Sequence, residues 1–269
     1  MSRLRLHILG SGSKGNCALI EGPQGLIMID DGLSRRETLK RMAELGLTAD
    51  DVSALVVTHE HSDHIKGLEV WCKHWNGPIF SSRGTLTSKE SLAHLPVEEF
   101  DPGDTLSIVG VRIQTYSTSH DVVNPVGYRF DAQGDSVGFA TDTGELSKPA
   151  IDTLKDCRIL ALESNHDVAM LRQGDYPRFL KERILSAKGH LSNDQAADAA
   201  RALVTDRTDQ LIAIHISQDN NRPSLTVKSY ANSLGATLDN ELGSTATRVE
   251  GLRKLTIRPA GQYRPMTIQ

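Results

Sequence analysis

Three imidazoles and a carboxylate, His59, His61, Asp63 and His64, are packed into six residues that directly follow the β-branched run Ala54 to Thr58. Ala-Leu-Val-Val-Thr reads as a short buried strand, which puts the polar cluster at a strand end. Crowding ionisable groups in one turn is costly unless a cation satisfies them. Nitrogen and oxygen donors without thiolate suit two divalent ions, zinc foremost, with manganese or iron also compatible. In an extended turn His59 and His61 point to one side and Asp63 and His64 to another, so one loop can feed two metal sites. Any fold built on this chain must therefore open a strand end where further ligands gather.

The chain has 269 residues, enough for a sizeable core, and a single domain spanning 1–269 is expected. No apolar run reaches the length of a membrane-spanning helix, and the apolar stretch near the N-terminus is too short for a signal peptide. A cytoplasmic protein with no membrane partner is expected. Cys17, Cys72 and Cys157 are far apart and form no CxxC, so neither a disulfide framework nor a thiolate zinc site is implied. The formal net charge is −4, but residues 222–269 carry seven Lys/Arg against three Asp/Glu. That segment is net +4 and the first 221 residues net −8. Overall acidity argues against a generic nucleic-acid coat.

Strands are expected at Leu4 to Leu9, Cys17 to Glu21, Leu26 to Ile29, Pro78 to Ser81, Thr105 to Val109, Val111 to Ser117, Val126 to Phe130, Ser136 to Ala140, Arg158 to Leu162 and Leu211 to Ile214. Helices are expected from about 35 to 45 behind a Ser34-x-x-Glu37 capping box, over Lys66 to Trp75, Leu86 to Leu95 and Tyr176 to Lys188, and behind a second box, Ser192-x-x-Gln195. Strands in batches interleaved with helices indicate a layered α/β protein.

Gly10-Ser-Gly-Ser-Lys-Gly15 matches a dinucleotide fingerprint, with Asp30 and Asp31 at a suitable distance. The fingerprint requires a helix to start within the glycines, whereas Gly22, Pro23 and Gly25 leave no room for one. A loop whose backbone N–H groups and Lys14 face an anionic ligand is the better reading.

The run His59 to His64 resembles the HxHxDH motif of the metallo-β-lactamase superfamily, and the rest of that pattern follows in order: His120, Asp142 and His215, each after an apolar run. The resemblance implies a four-layered αββα sandwich. It assigns His59, His61 and His120 to one metal, Asp63, His64 and His215 to the other, and Asp142 to a bridge between them. Asp30 would orient a ligand rather than bind metal. Glu163 in Leu-Glu-Ser-Asn-His-Asp and His190 in Gly-His-Leu-Ser-Asn resemble the glutamate and histidine motifs of tRNase Z-like phosphodiesterases. Phosphodiester cleavage expels a poor alkoxide leaving group, and a histidine oriented by a carboxylate can supply its proton.

Taken together, the Ser-Gly-Ser-Lys-Gly-Asn loop, these motifs and the run from His215 to Asn221 resemble the bacterial YycJ/WalJ-type exonucleases of that superfamily. The resemblance implies a metal-dependent, 5′-end-directed DNA exonuclease with a dinuclear site, a bridging hydroxide oriented by Asp63, and DNA as partner. Ser11, Ser13, Lys14 and Asn16 would meet a phosphate. Asn165, His166 and Asp167 would either shape the nucleotide pocket or cap the turn, and Asn220 and Asn221 would stand on the substrate side. A thioester hydrolase of the glyoxalase II type is the alternative enzyme, although Arg253 to Ile257 look extended where that type has a helical C-terminal domain. A non-catalytic metal-dependent ligand sensor is the other alternative, and oligomeric state is left open.

Overall fold

In the computed structural model, which describes residues 3–269, the chain opens as β1 (Arg5–Gly10), β2 (Cys17–Gly22) and β3 (Gly25–Ile29). β1 and β2 pair antiparallel, so the Ser-Gly-Lys loop joins two strands and no helix starts within its glycines. After β3, α1 (Arg35–Glu44) leads to β4 (Val52–Val57), and α2 (Ser62–Ile65) and α3 (Leu68–Cys72) lead to β5 (Ile79–Ser82) and β6 (Val97–Phe100). β3 to β6 are parallel. Parallel strands covered on both faces read as continuous apolar runs, and Ala54, Leu55, Val56 and Val57 of β4 are all fully buried. β7 (Thr105–Ile108), β8 (Val111–Ser117) and β9 (Val126–Ala132) form an antiparallel meander.

These elements belong to the first of two compact units, which comprises Met1–Ser117, Val122–Asp135 and Gly261–Gln269. Its core includes Leu9, Met28, Met42, Leu55, Leu68 and Trp71, each worth roughly 1.5–3 kcal/mol on burial. The capping box at Ser34 is half made. Ser34 Oγ accepts from the Glu37 amide at 3.3 Å, whereas Glu37 Oε1 accepts from Arg41 Nε at 2.8 Å instead of reaching back. The stretch Leu86 to Leu95 is a string of turns and not the expected helix, held by bonds such as Lys89 N to Leu86 O and Leu95 N to Leu92 O. Only Leu86 and Leu92 are buried there, a spacing that lies on no single helical face.

The second unit comprises Thr118–Asp121 and Ser136–Ala260. It contains β10 (Asp135–Ala140) from its second residue on, α4 (Lys148–Leu154), β11 (Ile159–Glu163), α5 (Val168–Gln173), α6 (Arg178–Ile184), α7 (Asn193–Leu203), β12 (Gln210–Ile214), α8 (Pro223–Leu234), β13 (Thr237–Leu238), β14 (Ala246–Glu250) and β15 (Arg253–Pro259). β10, β11, β12 and β15 are parallel, and β14 and β13 continue the sheet antiparallel. α6 is shorter than the expected Tyr176 to Lys188 because Pro177, which has no N–H to offer, stands at its N-cap. The Ser192 box is complete, with Ser192 Oγ accepting from Gln195 N at 3.2 Å and Gln195 Oε1 from Ser192 N at 2.9 Å. α7 buries Ala196, Ala200 and Leu203 and packs against α8, which buries Val227, Tyr230 and Leu234.

The last strand, β16 (Met266–Ile268), pairs antiparallel with β1 and completes the first unit's seven-stranded order β16-β1-β2-β3-β4-β5-β6. His7 on β1 pins it, with Nδ1 2.9 Å from Thr267 Oγ1 and Nε2 3.0 Å from Glu21 Oε2. The chain as a whole is mixed α/β with two large sheets and helices, the class implied above. Among the described residues no helix is long and apolar enough to cross a membrane.

Beyond β3 the chain touches the histidine motif through bare backbone. Gly32 N donates to Asn16 O at 2.8 Å and Asn16 N donates to Asp63 O at 2.7 Å. A Cβ at position 32 would lie 1.6 Å from the Asp63 carbonyl oxygen. Gly32→Ala is therefore expected to destabilise the protein by about 3 kcal/mol, read as a lowered Tm in thermal unfolding. An unchanged Tm would show that the two loops separate freely.

Candidate active site

Open α/β sheets present functional groups at the carboxyl ends of their parallel strands. In the first unit β3 delivers Asp30, and β4 runs through Thr58 into His59, His61, Asp63 and His64. Asp30 stands at φ 57°, a left-handed conformation that costs a non-glycine residue about 1–2 kcal/mol. Its Oδ1 accepts from Thr58 N at 2.8 Å, and its Oδ2 from Thr58 Oγ1 and His64 Nδ1, each at 2.7 Å. Thr58 Oγ1 in turn accepts from His59 Nδ1 at 3.0 Å. One buried carboxylate thereby sets the tautomer of two imidazoles and turns both Nε2 atoms the other way. The His59 ring centroid lies 4.9 Å from that of His61 and 4.1 Å from that of His64.

The Ser-Gly-Ser-Lys-Gly-Asn loop meets this motif from one side. Asn16 is buried. Its Nδ2 is 3.1 Å from Asp63 Oδ2 and 3.0 Å from His64 Nε2, and its Oδ1 accepts from Gly12 N at 2.8 Å. Ser11 is buried, whereas Ser13 and Lys14 are exposed. The loop is held by Gln262, which sequence reading missed because nothing local marks it. Gln262 Nε2 donates to Gly15 O at 2.8 Å, and its Oε1 accepts from Lys14 N at 3.0 Å. Arg41 Nη1 fixes both partners by donating to the carbonyls of Leu9 and Gln262 at 2.8 and 2.7 Å.

The second unit presents His120, Asp142, Glu163, His190 and His215. Asp142 and His215 follow β10 and β12 at φ 51° and 52°. Glu163 ends β11 with no exposure. Its Oε1 accepts from His190 Nδ1 at 2.7 Å and His215 Nδ1 at 3.0 Å, and its Oε2 from the amides of Thr143 at 2.9 Å and Leu191 at 3.2 Å. Burial alone would push the Glu163 carboxyl up. The neighbouring His190 charge and the bonds from His190 and His215 outweigh it and hold the pKa down at about 2. Asp142 Oδ1 lies 3.4 Å from His215 Nδ1 and 3.6 Å from His190 Nδ1. Asp142, Glu163, His190 and His215 each offer a ligand atom within 4.8 Å of one another. His120 Nδ1 donates to Gly189 O at 3.1 Å.

The expected nucleotide-pocket residues sit in the loops behind this constellation, and all but the half-buried Asp167 are buried. Asn165 Nδ2 donates to the His215 carbonyl at 2.9 Å. Asn221 Nδ2 donates to the carbonyls of Ser164 and Asn165, each at 3.0 Å, and its Oδ1 accepts from Asn193 Nδ2 at 2.9 Å. Asn220 O accepts from Asp167 N at 2.9 Å. Asp167 caps α5 by accepting from Met170 N at 2.8 Å. Neither ring nitrogen of His166 has a hydrogen-bond partner among the described residues.

Both donor sets fit divalent metal ions. They are imidazole and carboxylate without thiolate, and His59, His64, His120 and His215 each have an oxygen at Nδ1, the arrangement that orients Nε2 as the metal-facing atom.

His166 carries a pH signature. Burial lowers its pKa from 6.5 to about 4, so in that interval the unfolded chain binds a proton that the folded chain does not. The resulting stability is intact above pH 6.5 and is lost as the pH falls towards 4. The unfolding free energy of the wild type relative to His166→Gln is expected to drop by about 3 kcal/mol over that range, measured by denaturant titration. A difference independent of pH would show that His166 is not held neutral.

A family model described as beta-lactamase superfamily domain matches residues 26–216. The exodeoxyribonuclease YycJ of Bacillus anthracis is 35% identical over 232 residues, covering 85% of this chain and 88% of its own. The exodeoxyribonuclease WalJ of Streptococcus pneumoniae is 34% identical over 236 residues, covering 86% and 88%. The solved metallo-β-lactamase fold protein YhfI from Bacillus subtilis covers 99% of this chain and 100% of its own, with a TM-score of 0.70 at 14% identity, a likeness of fold. Matches over this much of the chain, added to histidines and carboxylates at successive strand ends, mean that the chain belongs to the beta-lactamase superfamily and has the metallo-β-lactamase fold.

Proposed function

We propose that this hydrolase is a phosphodiesterase that degrades DNA from its 5′ end, working as one domain in the cytoplasm with two zinc ions. The observation that carries the reading is the Glu163 carboxylate shared by His190 and His215. The printed names of the YycJ and WalJ relatives support the substrate class.

His59, His61 and His120 would hold one ion, Asp63, His64 and His215 the other, and Asp142 would bridge them. Such ions acidify water and stabilise the negative charge that develops on a phosphoryl group under attack. Asn16 orients Asp63, which aligns the attacking water. Glu163 keeps the Nδ1–H of His190 engaged, so Nε2 is the ring atom that carries a proton to the departing alkoxide oxygen. That proton is what separates this reading from a thioester hydrolase, whose thiolate leaves without one. Ser13 and Lys14, exposed on the loop that Gln262 clamps, would meet the terminal phosphate.

Metal-loaded protein is expected to release nucleotides from the 5′ end of end-labelled DNA, under zinc or manganese, and chelation is expected to abolish the activity. Turnover of a thioester or a lactam with DNA left intact would overturn the reading. His190→Ala should slow DNA cleavage by about 10²–10⁴-fold and an activated aryl phosphodiester, whose leaving group needs no proton, far less. Equal losses on the two substrates would remove His190 from that role.

A further inference from the structure

The stretch from α5 to His190 concentrates positive charge around an exposed aromatic, in a chain that is net acidic and poor in aromatics. Residues 172–188 hold five Lys/Arg against two Asp/Glu, within a protein of net charge −4 and 4% aromatic content. α6 fully buries none of its residues; Leu180, Lys181 and Ile184 are half-buried on one face, and Arg178, Phe179, Glu182 and Arg183 are exposed. Phe179 is 71% exposed, whereas the other four phenylalanines are buried or half-buried.

Two of the five cations fix the helix in place. Lys181 Nζ donates to the carbonyls of Arg172 and Gly174 at 2.9 and 2.6 Å. Arg183 pairs with Asp121, the neighbour of His120, with Nη2 2.9 Å from Oδ1. Beyond α6 the chain packs directly onto the constellation. His190 N donates to Ile184 O at 3.1 Å, and a Cβ on Gly144, just after Asp142, would lie 2.3 Å from Ala187 O. α6 is thus anchored beside His120, Asp142 and His190. The other three cations, Arg172, Arg178 and Lys188, are exposed. Of these three, only the Arg178 side chain has an ionic partner among the described residues, Glu182, in a solvent-facing i,i+4 pair of little energetic weight.

A lone exposed apolar residue is ordinary. An exposed aromatic among cations, on a helix anchored beside the group that protonates the leaving oxygen, matches what a single strand requires: a π face for an unstacked base and positive charge for its phosphates. We propose that α6 with its flanking segments is a platform for single-stranded DNA, on which Phe179 stacks a base and Arg172 of α5, Arg178 of α6 and Lys188 beyond it contact phosphates. Bases in a duplex are already stacked, so the platform favours a single strand. The inference rests on the phosphodiesterase reading and adds its substrate form.

The test is fluorescence anisotropy with metal-loaded protein and a labelled oligothymidylate whose phosphorothioate linkages resist cleavage. Phe179→Ala is expected to weaken binding roughly 5- to 100-fold, and Phe179→Trp to restore it. Arg178→Ala should reduce the slope of log Kd against log salt by about 0.7. Leu252→Ala, at an exposed apolar residue far along the sequence, should leave binding unchanged. Phe179→Ala binding within roughly twofold of wild type, at an unchanged Tm, overturns the platform. If wild type cleaves DNA and Phe179→Ala binds as well as wild type, the platform alone fails. If binding depends on Phe179 and no DNA is cut, the phosphodiesterase reading alone fails.

Discussion

A carboxylate sealed from solvent at the end of β11 organises the second unit. An isolated buried Glu163 would be pushed towards its neutral form. Four donors keep it ionised: two imidazole Nδ1–H groups and two backbone amides. They come from three separate segments, the turn after β10, the approach to α7 and the exit of β12. Keeping one charge stable therefore requires three loops to converge on one point, and that convergence sets His190 and His215 side by side, with ring centroids 5.2 Å apart. In the first unit Asp30 does the equivalent for His59 and His64 through Thr58. Both units solve the problem of aiming imidazoles by burying an acid behind them.

Backbone strain is concentrated at the same places. Asp30, Asp142 and His215 all leave their strands in the left-handed region, and each must be held there by bonds made elsewhere. For Asp30 these are the contacts with Thr58 and His64. For His215 they are Glu163 at the ring and Asn165 at the carbonyl. The sharp turn swings the side chain off the strand axis towards its neighbours. A relaxed strand end would carry it onwards.

Much of this was legible in the sequence, because apolar runs ending in polar residues are local signals. β4 with its histidine motif, the strands ending at Asp30, Asp142, Glu163 and His215, and the Ser192 box could all be read from near neighbours along the chain. What was illegible is non-local. Gln262 clamps a loop at Gly15, and the Arg41 side chain reaches from α1 to the Leu9 carbonyl, without any pattern around either residue. Asn193, at the start of α7, bonds Asn221 ahead of α8, a contact that nothing local to either residue marks. α5 and α8 went unanticipated: α5 is short, and α8 begins at a proline and is mostly small or polar outside its buried face. The segment 86–95 has helical composition, but only Leu86 and Leu92 are fully buried, with Leu95 half-buried against the same core.

The return of the chain as β16 bears on how the first unit is made. Its strand β1 and its Lys14 loop are finished by Thr267 and Gln262, residues synthesised after the whole of the second unit. No continuous piece of the gene encodes this unit. A nascent chain carries β1 as an unpaired edge, with the first unit's loop unclamped, until the second unit has emerged. Such long-range closure is slow and exposes a strand edge while it waits. The last strand therefore acts as a timer: the loop beside His59, His61 and His64 gains its clamp only once residues 262–268 have been synthesised.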